Sequence, residues 1–146
     1  MGTVAGMRAI VAPALLSHFL VKSPAGELNF SKLHYLQLPK VALGLKLAAG
    51  AELVGDKLPN TPDRIIAPQL SFRILSGAVA GATLASANKQ STITGAFIGG
   101  AAAAASSYLF WFLRKKLVSS TGLPDAGIAV LEDALAVTGG YMIAKG

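Results

Sequence analysis

The chain contains no cysteine, which excludes disulfide bonds, thiolate nucleophiles and Cys-ligated zinc. Charge is scarce as well: Asp, Glu, Lys and Arg make up 14% of the 146 residues, against about 25% in an ordinary soluble domain. The two histidines, His18 and His34, have no neighbour at metal-ligand spacing and read as packing or interfacial residues. No G-x-S-x-G, Walker or dinucleotide fingerprint occurs. No residue set argues for an enzyme, and no cofactor is expected.

What the chain has in abundance is apolar and small residues: 53% are hydrophobic and 16 are glycine. Gln90 to Leu113 runs for 24 residues without a charge, enough at about 1.5 Å per residue to cross a hydrocarbon core of about 30 Å. The formal charge is +6, but the basic residues are scattered between apolar segments, with one cluster at Arg114-Lys115-Lys116. That is flanking charge on a membrane protein rather than a nucleic-acid surface. The predicted partner is the lipid bilayer.

The pattern predicts an all-α, polytopic membrane protein in one domain, residues 1–146, with about five spans. The first, about 3–21, contains Pro13, which predicts a kink or discontinuity. It is read as a retained helix, because Met1 to Met7 lacks the basic residues of a signal peptide. Gly2 is no myristoylation site, since position 6 is glycine rather than Ser or Thr. Residues 28–38 alternate apolar and polar and predict an interfacial segment or ordered loop. The second span, about 40–57, stops at Pro59-Asn60-Thr61-Pro62. The third, about 66–87, has Pro68 in its first turn, where the missing N–H costs nothing. The fourth, about 91–115, ends in aromatic residues beside the basic cluster, and the fifth covers about 125–144.

Two GxxxG patterns, Gly77 to Gly81 and Gly95 to Gly99, together with Gly139-Gly140, predict close backbone packing among spans three, four and five. The same Gly/Ala-rich faces would serve a homo-oligomer or a partner in a membrane complex.

The ionisable residues inside the apolar stretches are the candidate site: Arg8, Glu52, Asp56, Lys57, Arg73, Glu132 and Asp133. In an up-down arrangement they fall in one leaflet, contributed by four helices. Glu52 and Asp56, four apart, share a helical face and repel by a few tenths of a kcal/mol in water, and by more at low dielectric. Arg8 or Arg73 would relieve this, as would Lys57, a bound cation or a proton. The arginines would make the cluster a structural lock. A cation or proton on Glu52 and Asp56, the residues for any metal, would make it a transport site. Arg8 and Arg73 could instead recognise an anionic headgroup or solute, and Lys46, within span two, snorkels or joins the cluster.

Met7-Arg8-Ala9-Ile10 resembles Phe72-Arg73-Ile74-Leu75, and Ala51-Glu52-Leu53 loosely resembles Leu131-Glu132-Asp133, as in paired repeats. The spacings disagree, 44 residues from Arg8 to Glu52 against 59 from Arg73 to Glu132, an excess that span four as an added helix would account for. Seven basic residues (Arg8, Lys57, Arg64, Arg73 and Arg114 to Lys116) fall on one side and five (Lys22, Lys32, Lys40, Lys89 and Lys145) on the other. This charge bias predicts a cytoplasmic N-terminus.

Met7-Arg8-Ala9 with Pro13, the block Glu52-x-x-x-Asp56-Lys57-x-Pro59, then Pro62, Arg64, Pro68, Arg73 and Glu132-Asp133, resemble an uncharacterised family of small bacterial multi-pass membrane proteins, a domain of unknown function. The resemblance covers nearly the whole chain. It implies an integral protein of the bacterial inner membrane and brings no activity with it. Glu52-Leu53-Val54-Gly55-Asp56-Lys57 is also similar to the Glu-x-Gly-Asp-Lys/Arg-Thr/Ser signature of a divalent cation/proton exchanger family. One extra residue rotates Glu52 by about 100° around the helix relative to that signature, and Leu58 replaces its hydroxyl residue. Two functions follow as expectations: transport or permeation of a small ion or solute through the cluster, or a non-catalytic accessory subunit whose charges lock helices together.

Overall fold

The computed structural model describes residues 1–55, 65–122 and 124–145. Its helices are α1 (Gly2–Met7), α2 (Val11–Lys22), α3 (Pro39–Gly55), α4 (Ala67–Ala87), α5 (Thr92–Thr121) and α6 (Asp125–Lys145). Two short 3-10 helices, Gly26–Phe30 and Lys32–Gln37, occupy the connector read as interfacial, and no strand occurs among the described residues. The predicted breaker Pro59 to Pro62 lies outside the described residues.

Three helices, Ala67–Ala87, Thr92–Thr121 and Ala126–Lys145, are long and apolar enough to cross a membrane. The distribution of side chains is that of a protein dissolved in lipid. Leu47, Phe97 and Met142 are 68%, 76% and 73% exposed, whereas Arg8 and Arg73 are 0% and 3% exposed. The core beneath is built largely of alanines, among them Ala5, Ala12, Ala80, Ala103 and Ala136. The molecule is an all-α polytopic membrane protein.

Local sequence explains the later boundaries. Pro68 stands in the first turn of α4. Ser91 caps α5, its side chain accepting from the backbone N–H of Thr94, and Gly122 ends it in the left-handed conformation at φ 64°. That glycine conformation, open to few other residues, carries α5 past the basic cluster at which the sequence placed its end. Its 30 residues span about 45 Å at 1.5 Å each, more than the hydrocarbon thickness.

The first span differs from expectation. Residues 3–21 form two helices of opposite direction, and the break falls at Arg8 to Ile10 rather than at Pro13. Direction follows from contacts. Gly77 lies against Gly99 and Gly81 against Gly95, so α4 and α5 are antiparallel. Gly2 lies against Gly99 and Gly6 against Ala103 and Ser106, so α1 runs parallel to α5. Helix α2 runs the other way, from Ile10 beside Glu52 to the end where Lys89 pairs with Glu27. Val4 and Leu15 therefore both reach Gly140. On one straight helix these residues, eleven apart, would be separated by about 16 Å.

Pro13 explains where the reversal sits. In a continuous helix its ring would clash with the carbonyl of Ala9, four residues earlier, and supply that carbonyl with no N–H. Here Pro13 occupies the first turn of α2, and the Ala9 carbonyl accepts from the Ser76 hydroxyl instead. The proline marks a new helix starting just before it.

Helices α4 and α5 meet backbone to backbone. A Cβ added at Gly77 would lie 2.6 Å from the Gly99 carbonyl oxygen, and additions at Gly81, Gly95 and Gly99 would likewise collide with the facing helix. The expected glycine packing of the last span is corrected: Gly139 has nothing within 4 Å, and Gly140 faces Val4 and Leu15 of the hairpin. Phe19 meets Tyr141 edge to face at 5.2 Å on the same interface.

Candidate functional site at the hairpin tip

Reversing the chain inside a membrane leaves backbone groups at the C-terminus of α1 and the N-terminus of α2 without helical partners. In hydrocarbon each such group costs several kcal/mol. No Ser, Thr, Asn or Asp stands near residues 8–10 to cap them, and the Ile10 side chain gives α2 no cap. The partners come from other helices.

Glu52, near the end of α3, accepts the Ala9 N–H on Oε1 and the Ile10 N–H on Oε2, both at 2.8 Å. Arg73, in the second turn of α4, donates through one terminal nitrogen to the carbonyls of Gly6 at 3.0 Å and Met7 at 2.7 Å. An anion thus sits at the positive end of α2 and a cation at the negative end of α1, the favourable sense for both helix dipoles. The two charges are themselves 4.0 Å apart, Arg73 to Glu52 Oε1. Arg8, in extended conformation between the helices, donates from Nε to Oδ1 of Asp133 on α6.

Two charge pairs therefore meet at the tip, Arg8 with Asp133 and Arg73 with Glu52. Glu132 is buried beside Asp133, at 5% exposure. Asp56, Lys57 and Arg64 lie outside the described residues. Lys46 is on the exposed side of α3. His34 contacts the Ser31 carbonyl through Nδ1 at 2.9 Å within the 3-10 connector. Among the described residues no three His, Asp or Glu side chains come together as a metal site.

Sequence reasoning missed the polar seam that holds α1. Gly2-x-x-x-Gly6 is a third GxxxG surface, lying against Gly99 to Ser106 of α5. Ser106 and Ser107 each bond the Ala103 carbonyl of their own helix and also reach α1, at Thr3 and Gly6. The signal was present in the four-residue spacing of Gly2 and Gly6, and of Ser76 within one turn of Arg73.

Beside the tip, a cleft of about 380 Å³ is lined by Ala9, Ile10, Glu52, Pro68, Gln69, Phe72 and Arg73. It joins the ionic pair, an amide and the hairpin backbone to apolar walls. The arrangement can hold a small solute against fixed charges of both signs.

No curated protein and no solved structure matches the chain. The family model described as Domain of unknown function (DUF4126) matches residues 1–145, nearly its whole length, and the chain belongs to that family.

Proposed function

We propose that this protein transports or conducts a small solute or ion, with the α1–α2 hairpin as the element that forms the pathway. The observation that carries this reading is the cleft at the hairpin tip, where Glu52 and Arg73 line the same space as the interrupted backbone at Ala9 and Ile10. Non-helical backbone at membrane depth is tolerated where it is buried in protein or faces a water-filled cavity, and interrupted helices with exposed ends are how transporters build binding sites. On the same reading the membrane is the bacterial inner membrane. The side of Arg8, Arg73 and the Arg114 to Lys116 cluster, to which the sequence assigns seven basic residues against five, is the cytoplasmic one.

The test is reconstitution into liposomes and flux measurement over a panel of cations, protons and small organic solutes. Wild-type protein moves at least one of them, and Glu52→Gln, checked for intact helical signal and monodisperse elution, loses that flux. A folded wild type that moves nothing in the panel defeats the proposal.

A second reading has its own support. Each Glu52 oxygen already takes a backbone N–H, which is what a helix lock requires, and the protein would then be a non-catalytic accessory subunit. A partner that co-purifies consistently, with Glu52→Gln unfolding the protein, favours it.

A further inference from the structure

We infer that the solute held in the tip cleft is a zwitterion with a small apolar substituent, a neutral α-amino acid being the simplest case. This rests on the transport reading above and names its substrate class. The Glu52 carboxylate and the Arg73 guanidinium lie 4.0 Å apart and line one cleft. A cation drawn to Glu52 is repelled by Arg73 beside it, and an anion drawn to Arg73 is repelled by Glu52. Either single charge is attracted and repelled together. A solute carrying adjacent ammonium and carboxylate groups aligns antiparallel to the pair, ammonium toward Glu52 and carboxylate toward Arg73, and gains on both.

The remaining walls fit the rest of such a molecule. Ile10, Pro68 and Phe72 are apolar and Gln69 adds an amide. A volume of about 380 Å³ is at the small end of the roughly 300–1,000 Å³ typical of small-molecule sites. Phe72 is 54% exposed and is the wall residue placed to contact a substituent without belonging to the ionic caps.

The experiment is uptake of radiolabelled L-leucine by proteoliposomes containing the full chain, with flux of sodium, magnesium and protons measured in the same preparation. Saturable leucine uptake is expected. Unlabelled L-leucine should compete at least tenfold better than L-leucine methyl ester, which keeps the ammonium alone, or N-acetyl-L-leucine, which keeps the carboxylate alone. Phe72→Ala should raise the half-saturating leucine concentration several-fold while leaving that for glycine within twofold. Flux of a simple cation or proton without leucine or glycine uptake overturns the zwitterion assignment and leaves the transport reading standing. Equal competition by either singly charged analogue also overturns it. A folded protein that moves neither amino acid, ion nor any other solute of the wider panel defeats both.

Discussion

Arg8 and Asp133 stand 125 positions apart in the chain and meet at the hairpin tip, guanidinium Nε on carboxylate Oδ1. The Arg8 side chain is wholly excluded from the surroundings, and that of Asp133 is 12% exposed. Removing one partner of such a buried pair strands the other charge, at about 3–5 kcal/mol. Arg8→Met and Asp133→Leu should each destabilise the protein by that amount in a reversible denaturation assay in mixed micelles. The double variant should be less destabilised than the two singles added together. Strict additivity would show that the two side chains do not act as a pair.

Glu52 acts on backbone rather than on a distant charge alone, so shape and charge can be separated. Glu52→Ala leaves the Ala9 and Ile10 N–H groups without their acceptors and should destabilise by about 3–6 kcal/mol, two charge-assisted hydrogen bonds at about 1.5–3 kcal/mol each. Hydrogen exchange at those two amides should accelerate ahead of the rest of α2. If exchange at residues 9 and 10 is unchanged in the variant, the capping assignment fails.

The hairpin can be distinguished from a single kinked helix by crosslinking, because the chain has no native cysteine. Cysteine pairs at 4 and 140 and, separately, at 15 and 140 should both form disulfides under mild oxidation, since Val4 and Leu15 both approach Gly140. A continuous helix permits only one of the two. Failure of the 4–140 pair, with the 15–140 pair intact, would restore the continuous helix.

Glycines that look alike in sequence should differ in consequence. Gly81→Ala and Gly99→Ala force a methyl group into the facing backbone and should cost more than 2 kcal/mol, as overpacking typically does. Gly44→Ala and Gly139→Ala, where a Cβ meets nothing within 4 Å, should stabilise by about 0.5–1 kcal/mol through helix propensity. Thermal unfolding of the four variants in one detergent checks the sign of each.

Much of this architecture is legible in the sequence because its signals are local. Pro68 stands in the first turn of α4, Ser91 caps the start of α5 and Gly122 its end, so single residues settle the backbone there. The meeting of Arg8, Glu52, Arg73 and Asp133 at one end follows from counting helices up and down. Their partners do not follow, because Glu52 and Arg73 bind main-chain groups 42 to 67 positions away that no side-chain pattern advertises. The hairpin is hidden for the same reason. Residues 8–10 carry no capping residue, turn glycine or polar run, and Pro13 is compatible with either a kink or a fresh start.

The reversal at Arg8 to Ile10 also sets a timetable. When α1 and α2 leave the ribosome, Glu52, Arg73 and Asp133 have not yet been translated, and exposed amide and carbonyl groups are barred from lipid by several kcal/mol each. The hairpin therefore completes its polar contacts only once α3, α4 and α6 have joined it. Without α6, Arg8 lacks the Asp133 carboxylate that it meets in the folded protein.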